Sequence, residues 1–221
     1  MNWKRLIPIL ALVVIFAATS AMAQPNKPWK TTFGHVAGGY VLVEGYAGEA
    51  VDDGWNLSGG ATIKKSEWPI AISFDLGWND FNIKDSALYG TDEKGDPVRI
   101  ADNGDVTVWS LTADLMWSTK NEGTVGFYLM GGLGAYYQKV QLTNAVWVPG
   151  WGCGFYWCVP GYWPGNEIVG SNSSWDWGYN AGVGLNFNLE SDSQIFIEAR
   201  YHWVQGDLET EYVPIVVGYR W

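Results

Sequence analysis

The stretch Trp175-Asp176-Trp177-Gly178-Tyr179-Asn180-Ala181-Gly182-Val183-Gly184-Leu185-Asn186-Phe187-Asn188-Leu189 decides the fold. Trp175, Trp177, Tyr179, Ala181, Val183, Leu185, Phe187 and Leu189 take alternate positions, with Asp176, Gly178, Asn180, Gly182, Gly184, Asn186 and Asn188 between them. Successive side chains of a β-strand point to opposite faces, so this parity separates an apolar face from a small or polar one. A helix would scatter the same residues around its circumference.

The period returns along the chain. Thr107, Trp109, Leu111, Ala113, Leu115 and Trp117 alternate with Val108, Ser110, Thr112, Asp114, Met116 and Ser118. Val125 to Tyr137, Ile195 to Trp203, Val213 to Trp221, Ile70 to Trp78 and Trp55 to Ile63 repeat it, while a first strand from Phe33 to Gly45 carries aliphatics and glycines on both faces. The connections alternate in length: Ala47 to Gly54 is moderate, Ser66 to Pro69 tight, Asp85 to Asp105 long, Thr119 to Gly123 tight, Thr143 to Ser174 very long, and Glu190 to Gln194 tight. Short turns on one rim and long loops on the other mark a membrane barrel of about eight strands. The connection near Gly206-Asp207 is short for the long-loop rim.

Alternation by itself leaves open which face is inside, since a lipocalin-like soluble barrel also alternates. The polar face settles the expectation, because it holds Gly, Asn, Ser and Thr rather than the Lys and Glu of a soluble exterior. The apolar face carries Trp109, Trp117, Trp78, Trp175, Trp177, Tyr201, Trp203, Tyr219 and Trp221 toward its ends, as aromatic girdles at two membrane interfaces require. The predicted class is all-β: a closed antiparallel up-and-down transmembrane barrel. Pro214 cannot donate to a ladder and is expected at an outer strand start or a bulge.

The N-terminus prescribes where such a barrel goes. Lys4 and Arg5, an apolar run from Leu6 to Ala18, and Ala21-Met22-Ala23 ahead of Gln24 form a basic region, a hydrophobic region and an A-x-A cleavage site. Residues 1–23 are read as a cleaved signal peptide, 24–32 as a periplasmic N-terminal segment and 33–221 as the barrel domain. Cleavage removes two of the thirteen basic residues and no acid, leaving eleven against twenty-three acids, net −12. Nucleic acid, whose phosphates demand a basic face, is excluded as a partner.

On these residues the chain resembles the OmpA/OmpX-type family of small outer-membrane barrels. The resemblance runs from Phe33 to Trp221 and is most specific at the C-terminus, where Val213, Ile215, Val217, Tyr219 and Trp221 are similar to the signal such proteins present to the outer-membrane assembly machinery. The stretches Gly178 to Gly184 and Ile197-Glu198-Ala199-Arg200-Tyr201 are similar to the family's penultimate strands. The resemblance implies a bacterial outer-membrane location among lipid and lipopolysaccharide. It implies no particular activity, since one barrel fold hosts many.

With polar faces inward, Glu44, Asp75, Asp114 and Glu198 meet Lys64, Arg200, Arg220 and His202 in a lumenal charge network, beside Tyr40, Tyr128, Met130 and Tyr136 and inward glycines such as Gly126, Gly132, Gly134, Gly182 and Gly184. Such a network fills the bore, and a narrow channel through the same residues is the alternative. A lipid A-modifying enzyme would need a His beside a Ser near the membrane interface. Neither His35 nor His202 stands in such a motif, and no nucleophile elbow, phosphate loop or cofactor motif occurs, so no enzyme is expected.

The segment Thr143 to Ser174 holds one charge, Glu167, and seven aromatics: Trp147, Trp151, Phe155, Tyr156, Trp157, Tyr162 and Trp163. Its Pro-Gly dipeptides predict turns. Cys153 and Cys158 are an even pair in an exported chain, so a disulfide clamp is expected. The expected role is structural or surface-interacting, with this loop displayed for a glycan or protein ligand. Asp92, Glu93, Asp96, Asp102 and Asp105 have oxygen-rich spacing that calcium uses, although acidic surface loops are ordinarily just solvated.

Overall fold

The computed structural model describes residues 32–221 apart from 46, 65–69, 93, 119–124, 154–157, 190–192 and 207–208. Within the longest hairpin the side chains of 147, 148, 150–153, 158–161, 163 and 164 also lie outside the description. The signal-peptide and N-terminal-segment expectations fall on residues outside it.

Eight strands close the barrel: β1 (Thr32–Glu44), β2 (Gly54–Lys64), β3 (Ile70–Asn82), β6 (Asn103–Ser118), β7 (Val125–Cys153), β8 (Cys158–Asn188), β9 (Gln194–Gln205) and β10 (Thr210–Arg220). Each pairs antiparallel with its chain neighbours around the ring, and β1 closes on β10 from His35↔Arg220 to Glu44↔Glu211. Between β3 and β6 lie a 3-10 turn over Asp85–Leu88 and a small separate hairpin of β4 (Tyr89–Thr91) and β5 (Pro97–Arg99). A one-turn helix α1 (Ala47–Ala50) follows β1. No helix among the described residues is long and apolar enough to cross a membrane.

Parity settles inside and outside as the composition predicts. On β3, Ala71, Ser73, Asp75 and Asn79 are buried, while Ile70, Ile72, Phe74 and Leu76 are exposed. On β8, Trp177 is 73% exposed and Val183 and Leu185 are also exposed, whereas Asn180 and Asn186 are buried. A soluble protein would not leave this continuous apolar belt in water. Rings crowd the belt's outer end: Trp55 lies edge-on to Trp78 at 4.4 Å, Trp78 stacks on Trp109 at 6.0 Å, and Tyr179 meets Trp203 at 4.9 Å. Tyr219 stacks on Trp221 at the other end. From Ile70 to Trp78 the strand rises about 26 Å, the scale of a tilted membrane crossing.

The first strand, ambiguous in sequence, is resolved by its two neighbours. His35, Ala37 and Val41 are buried inward, which turns Tyr40 and Glu44 outward. Tyr40 therefore does not fill the lumen: it is exposed and donates to Asp53 Oδ2 at 3.0 Å. Glu44 is exposed at the rim and does not belong to the lumenal network. Parity fails as a guide here because glycine-rich alternation has no apolar side to bury.

The segment expected as a long loop is instead a continuation of β7 and β8, strands of 29 and 31 residues. Their ladder passes a register shift at Leu142/Thr143 and continues to Cys153↔Cys158. Ten further residue steps give a ribbon projecting roughly 33 Å. The Pro-Gly dipeptides are not turns: Pro149 pairs with Tyr162 and Gly150 with Gly161, and the positive-φ glycines among the described residues are Gly45 and Gly95. Pro214 lies inside β10, not at its start, where the β9 ladder is interrupted between Tyr212↔His202 and Ile215↔Ala199 without a register shift. Its missing donor is tolerated because β1 still pairs on the other side, Val41↔Pro214.

Gly34 N donates to Trp221 O at 3.1 Å and Trp221 N to Gly34 O at 2.9 Å, so the last residue seals the closing seam. Removing Trp221 should lower the folded yield in detergent or vesicles, read as loss of the band that shifts on boiling. An unchanged folded fraction would refute that role.

Candidate functional site

The lumen is stacked in three layers, and the alternate positions of the strands supply all of them. Toward the chain-terminus rim Ala37, Ala71, Met116, Tyr128, Met130, Phe196 and Val216 form an apolar layer. Toward the ribbon rim Val41, Phe81, Val106, Val108, Tyr136, Val204 and Tyr212 form another. Charged and polar groups occupy the middle.

Arg200 on β9 holds that middle layer together. Its Nη2 lies 2.7 Å from Glu198 Oε1 and its Nη1 lies 3.1 Å from Asp114 Oδ2 and 3.5 Å from Asp75 Oδ2. One planar guanidinium thus serves carboxylates from three strands through its fixed fork of five donors. Each acid has a second partner. Tyr128 donates to Glu198 at 2.8 Å, Asn180 and Thr112 donate to Asp114 at 2.7 and 2.9 Å, and His35 Nε2 bonds Asp75. Buried charge is tolerated when paired and hydrogen-bonded in this way.

The remaining expected members are spread more widely. His202 is buried in the ribbon-side half, bonded through Nδ1 to Tyr136 at 2.9 Å and stacked on Tyr212 at 4.7 Å. Arg220 lies 4.8 Å over Phe196 and 5.5 Å over Tyr128 and donates to Gln194 at 3.3 Å. Lys64 is half-buried near the terminus rim and donates to Ser118 at 3.0 Å. The structure thus joins Asp75, Asp114, Glu198 and Arg200 directly, places His202, Arg220 and Lys64 at the margins, and removes Glu44 to the exterior.

His35 is the member that reading the sequence missed. Its signal lay in the closure of the ring, where it faces Arg220 across the β1–β10 pair and so must share that residue's inward parity. Close approach of rings to glycine completes the filling. A Cβ at Gly184 would lie 2.2 Å from Tyr128 Cζ, and one at Gly218 would lie 2.3 Å from Phe196 Cζ, so these two positions leave the space that the rings occupy.

The lumenal contacts among the described residues are ion pairs, hydrogen bonds and ring contacts. Among the described residues, neither histidine ring bonds a serine hydroxyl, and no group of three or more His, Cys, Asp or Glu is arranged to hold a metal ion. Two of the acids weighed for calcium, Asp92 and Asp102, serve the backbone. Asp92 accepts the amides of Lys94 and Asp96 at 2.8 and 2.9 Å, and Asp102 accepts that of Ala145 at 2.9 Å.

The second candidate surface is the ribbon. Register pairs Trp147 with Pro164, Pro149 with Tyr162, Trp151 with Pro160 and Cys153 with Cys158. Tyr162 is 70% exposed. The side chains of Trp147, Trp151 and Trp163, and residues Phe155, Tyr156 and Trp157 altogether, lie outside the described residues. The cysteines pair as backbone partners, and the expected disulfide falls on side chains that lie outside the described residues.

The model of the outer membrane protein beta-barrel domain matches residues 9–220. Among solved structures, the chain is similar to neisserial surface protein A, at 12% identity over 88% of this chain and 98% of that one, with a TM-score of 0.54. It is also similar to a major outer membrane protein from Thermus thermophilus, at 10% identity over 87% and 100%, again with a TM-score of 0.54. These likenesses share the fold. No curated protein matches the chain by sequence.

Arg200→Ala should destabilise the barrel by about 3–5 kcal/mol, because three buried carboxylates would lose their common partner. Urea unfolding in detergent would measure it, and a loss below about 1 kcal/mol, the worth of an exposed pair, would show that Arg200 is not the network's centre.

Proposed function

The chain belongs to the outer membrane protein beta-barrel domain family and is an outer-membrane barrel, and on that premise we propose that it is a closed anchor that displays the β7–β8 ribbon at the cell surface. The supporting observation is the contrast between bore and ribbon. The lumen is filled by the Arg200 network between two apolar layers, while β7 and β8 extend far past the length a membrane crossing needs. Strand length beyond the bilayer serves contact outside it.

Residues 1–23 act in this proposal as the cleaved export signal, and the β10 pattern ending in Trp221 addresses the assembly machinery. Lipopolysaccharide and lipid surround the apolar belt, and a glycan or protein ligand meets the aromatic face of residues 143–174. Aromatic rings opposite prolines suit such a face because both are rigid and lose little freedom on binding. The role is non-catalytic. A narrow channel is the second reading, favoured by the polar wall of Ser58, Ser73, Asn79 and Ser110 that faces Arg200 across the bore.

The ribbon is closed in this proposal by a Cys153–Cys158 disulfide. The two are direct cross-strand partners, and the Cα separations of antiparallel pairs, about 4.5–5.5 Å, fall within the range a disulfide spans. Freshly isolated outer membranes, alkylated without reduction, should yield protein carrying no alkyl groups on either cysteine. Two alkylated thiols would overturn the clamp.

The anchor reading predicts silence in planar bilayers for the folded wild type and measurable conductance for Arg200→Ala if that variant still inserts. Stable nanosiemens-scale conductance from the wild type would establish the channel instead.

A further inference from the structure

The buried charges of the bore do not cancel. Among the described residues, Asp75, Asp114 and Glu198 are buried against Arg200 and Arg220, so that with neutral histidines one negative charge is left over. Lys64 and Asp176, held by Ser118 and Gln138 toward the two rims, add one charge of each sign and leave the excess as it is. The excess falls on Asp75. Arg200 lies 2.7 Å from Glu198 and 3.1 Å from Asp114, but 3.5 Å from Asp75. The other partner of Asp75, His35 Nε2, satisfies a lone pair, and a neutral ring brings no charge with it.

Asp75 borders a cavity of about 30 Å³, room for about two water-sized particles. Asn56 and Ser58 of β2 and Ser110 of β6 line it around Gly77 of β3, which pairs with both serines. Glycine leaves the room here, since a Cβ at Gly77 would lie 2.6 Å from Ser110 Oγ. Two acceptors on the lining are buried without a partner, a state that native structures seldom leave unexplained. Asn56 spends its Nδ2 on Asn79 at 2.8 Å, which leaves Oδ1 bare. His35 turns Nε2 to Asp75 and leaves Nδ1 bare, a lone pair in the tautomer that donates to the carboxylate. Both residues are 7% exposed. Arg220 Nε is also unpartnered on the lining, but it is a donor and its guanidinium lies over Phe196 in the terminus-side layer.

We propose that this cavity binds one alkali-metal cation, sodium or potassium, held by Asn56 Oδ1, the Asp75 carboxylate and the hydroxyls of Ser58 and Ser110. Hard cations take oxygen ligands, and protein carbonyl oxygens can replace their hydration shell. The second particle in the cavity is a water ligand of the ion, for which His35 Nδ1 is an acceptor. One positive charge is what the bore lacks. A divalent ion would overshoot it beside Arg200, and such ions ordinarily gather several carboxylates where this cavity offers one. Ser58 is half-exposed although its parity is inward, so water reaches the cavity and a hydrated ion can enter. The site goes beyond the display role and does not depend on it.

The test uses the folded full barrel in detergent, with sodium or potassium chloride exchanged for choline chloride at constant ionic strength. Choline is too large for the cavity. Raising the alkali cation from about 10 mM to about 500 mM should multiply the folded-to-unfolded ratio in urea about tenfold, the mass-action gain for a site half-filled near about 50 mM. A gain with either ion supports the site, and the larger gain names the ion that fits. Asp75→Asn removes the excess charge and should make stability insensitive to the exchange. Ser58→Ala should need several-fold more cation for the same gain. Wild-type crystals grown in rubidium chloride should show an anomalous peak between Asn56 Oδ1 and Asp75. Equal stability in choline and alkali chlorides, an undiminished gain in Asp75→Asn, or no lumenal rubidium peak would overturn the proposal. So would a wild-type stability that ignores the cation and follows pH alone, which would assign the missing charge to a proton. Because the exchange and the diffraction are both read on the wild type, misfolding of a variant does not remove the test. None of these readouts is a conductance, so failure of the site leaves the display role standing.

Discussion

Every backbone N–H and C=O within the hydrocarbon must find a partner inside the protein, and the closed ladder is how this chain meets that demand. An unpaired peptide group in lipid costs several kcal/mol, so a sheet crossing a membrane has to return to its own first strand. Here the return is the β1–β10 pair, finished by the reciprocal bonds between Gly34 and Trp221. Once the ring is shut, the two-residue period divides each strand between lipid and lumen. A slip of one residue in β9 would put Arg200 in lipid and Ile197 in the bore.

The lumen of an eight-stranded ring has room for side chains and little else, so what lines it must also pack it. The chain meets this with rings laid on glycines, Tyr128 over Gly184 and Phe196 over Gly218, and with Arg200 gathering three carboxylates. The two devices depend on each other. Tyr128 both fills space and donates to Glu198, so displacing the ring would also strip an acid of its second partner. Packing and charge compensation are the same residues seen in two ways.

Beyond the bilayer the demand on the backbone relaxes, because water can satisfy an open edge, and the structure changes character there. The β7–β8 ladder sheds its neighbours and continues as a two-stranded ribbon, which is marginal in isolation for want of a core. Prolines opposite aromatics stiffen it, and Asp102 from the β5–β6 connection ties its base through Thr143 and Ala145. Two acids of that connection, Asp92 and Asp102, whose spacing resembles that of cation ligands, hold backbone amides.

The sequence by itself determined the strands of the membrane belt, their inward and outward faces, the barrel class and most of the lumenal charges. All of these follow from local parity, and parity is strong wherever one face is apolar, as from Trp175 to Leu189. It was silent where that contrast vanished. In β1 both faces carry glycine and aliphatics, so His35, Tyr40 and Glu44 took their sides only from pairing with β2 and β10. From Thr143 to Ser174 the Pro-Gly dipeptides have a local preference for turns, yet the chain runs extended through them. The reason is non-local: each proline lies where its nitrogen faces away from the partner strand, a fact set by register with residues up to seventeen positions away, as in Trp147↔Pro164. Only the tertiary structure decided which carboxylates share Arg200, because Asp75 on β3 and Asp114 on β6 are distant in the chain from β9, which carries Arg200 and Glu198, and reach the guanidinium only across the closed ring.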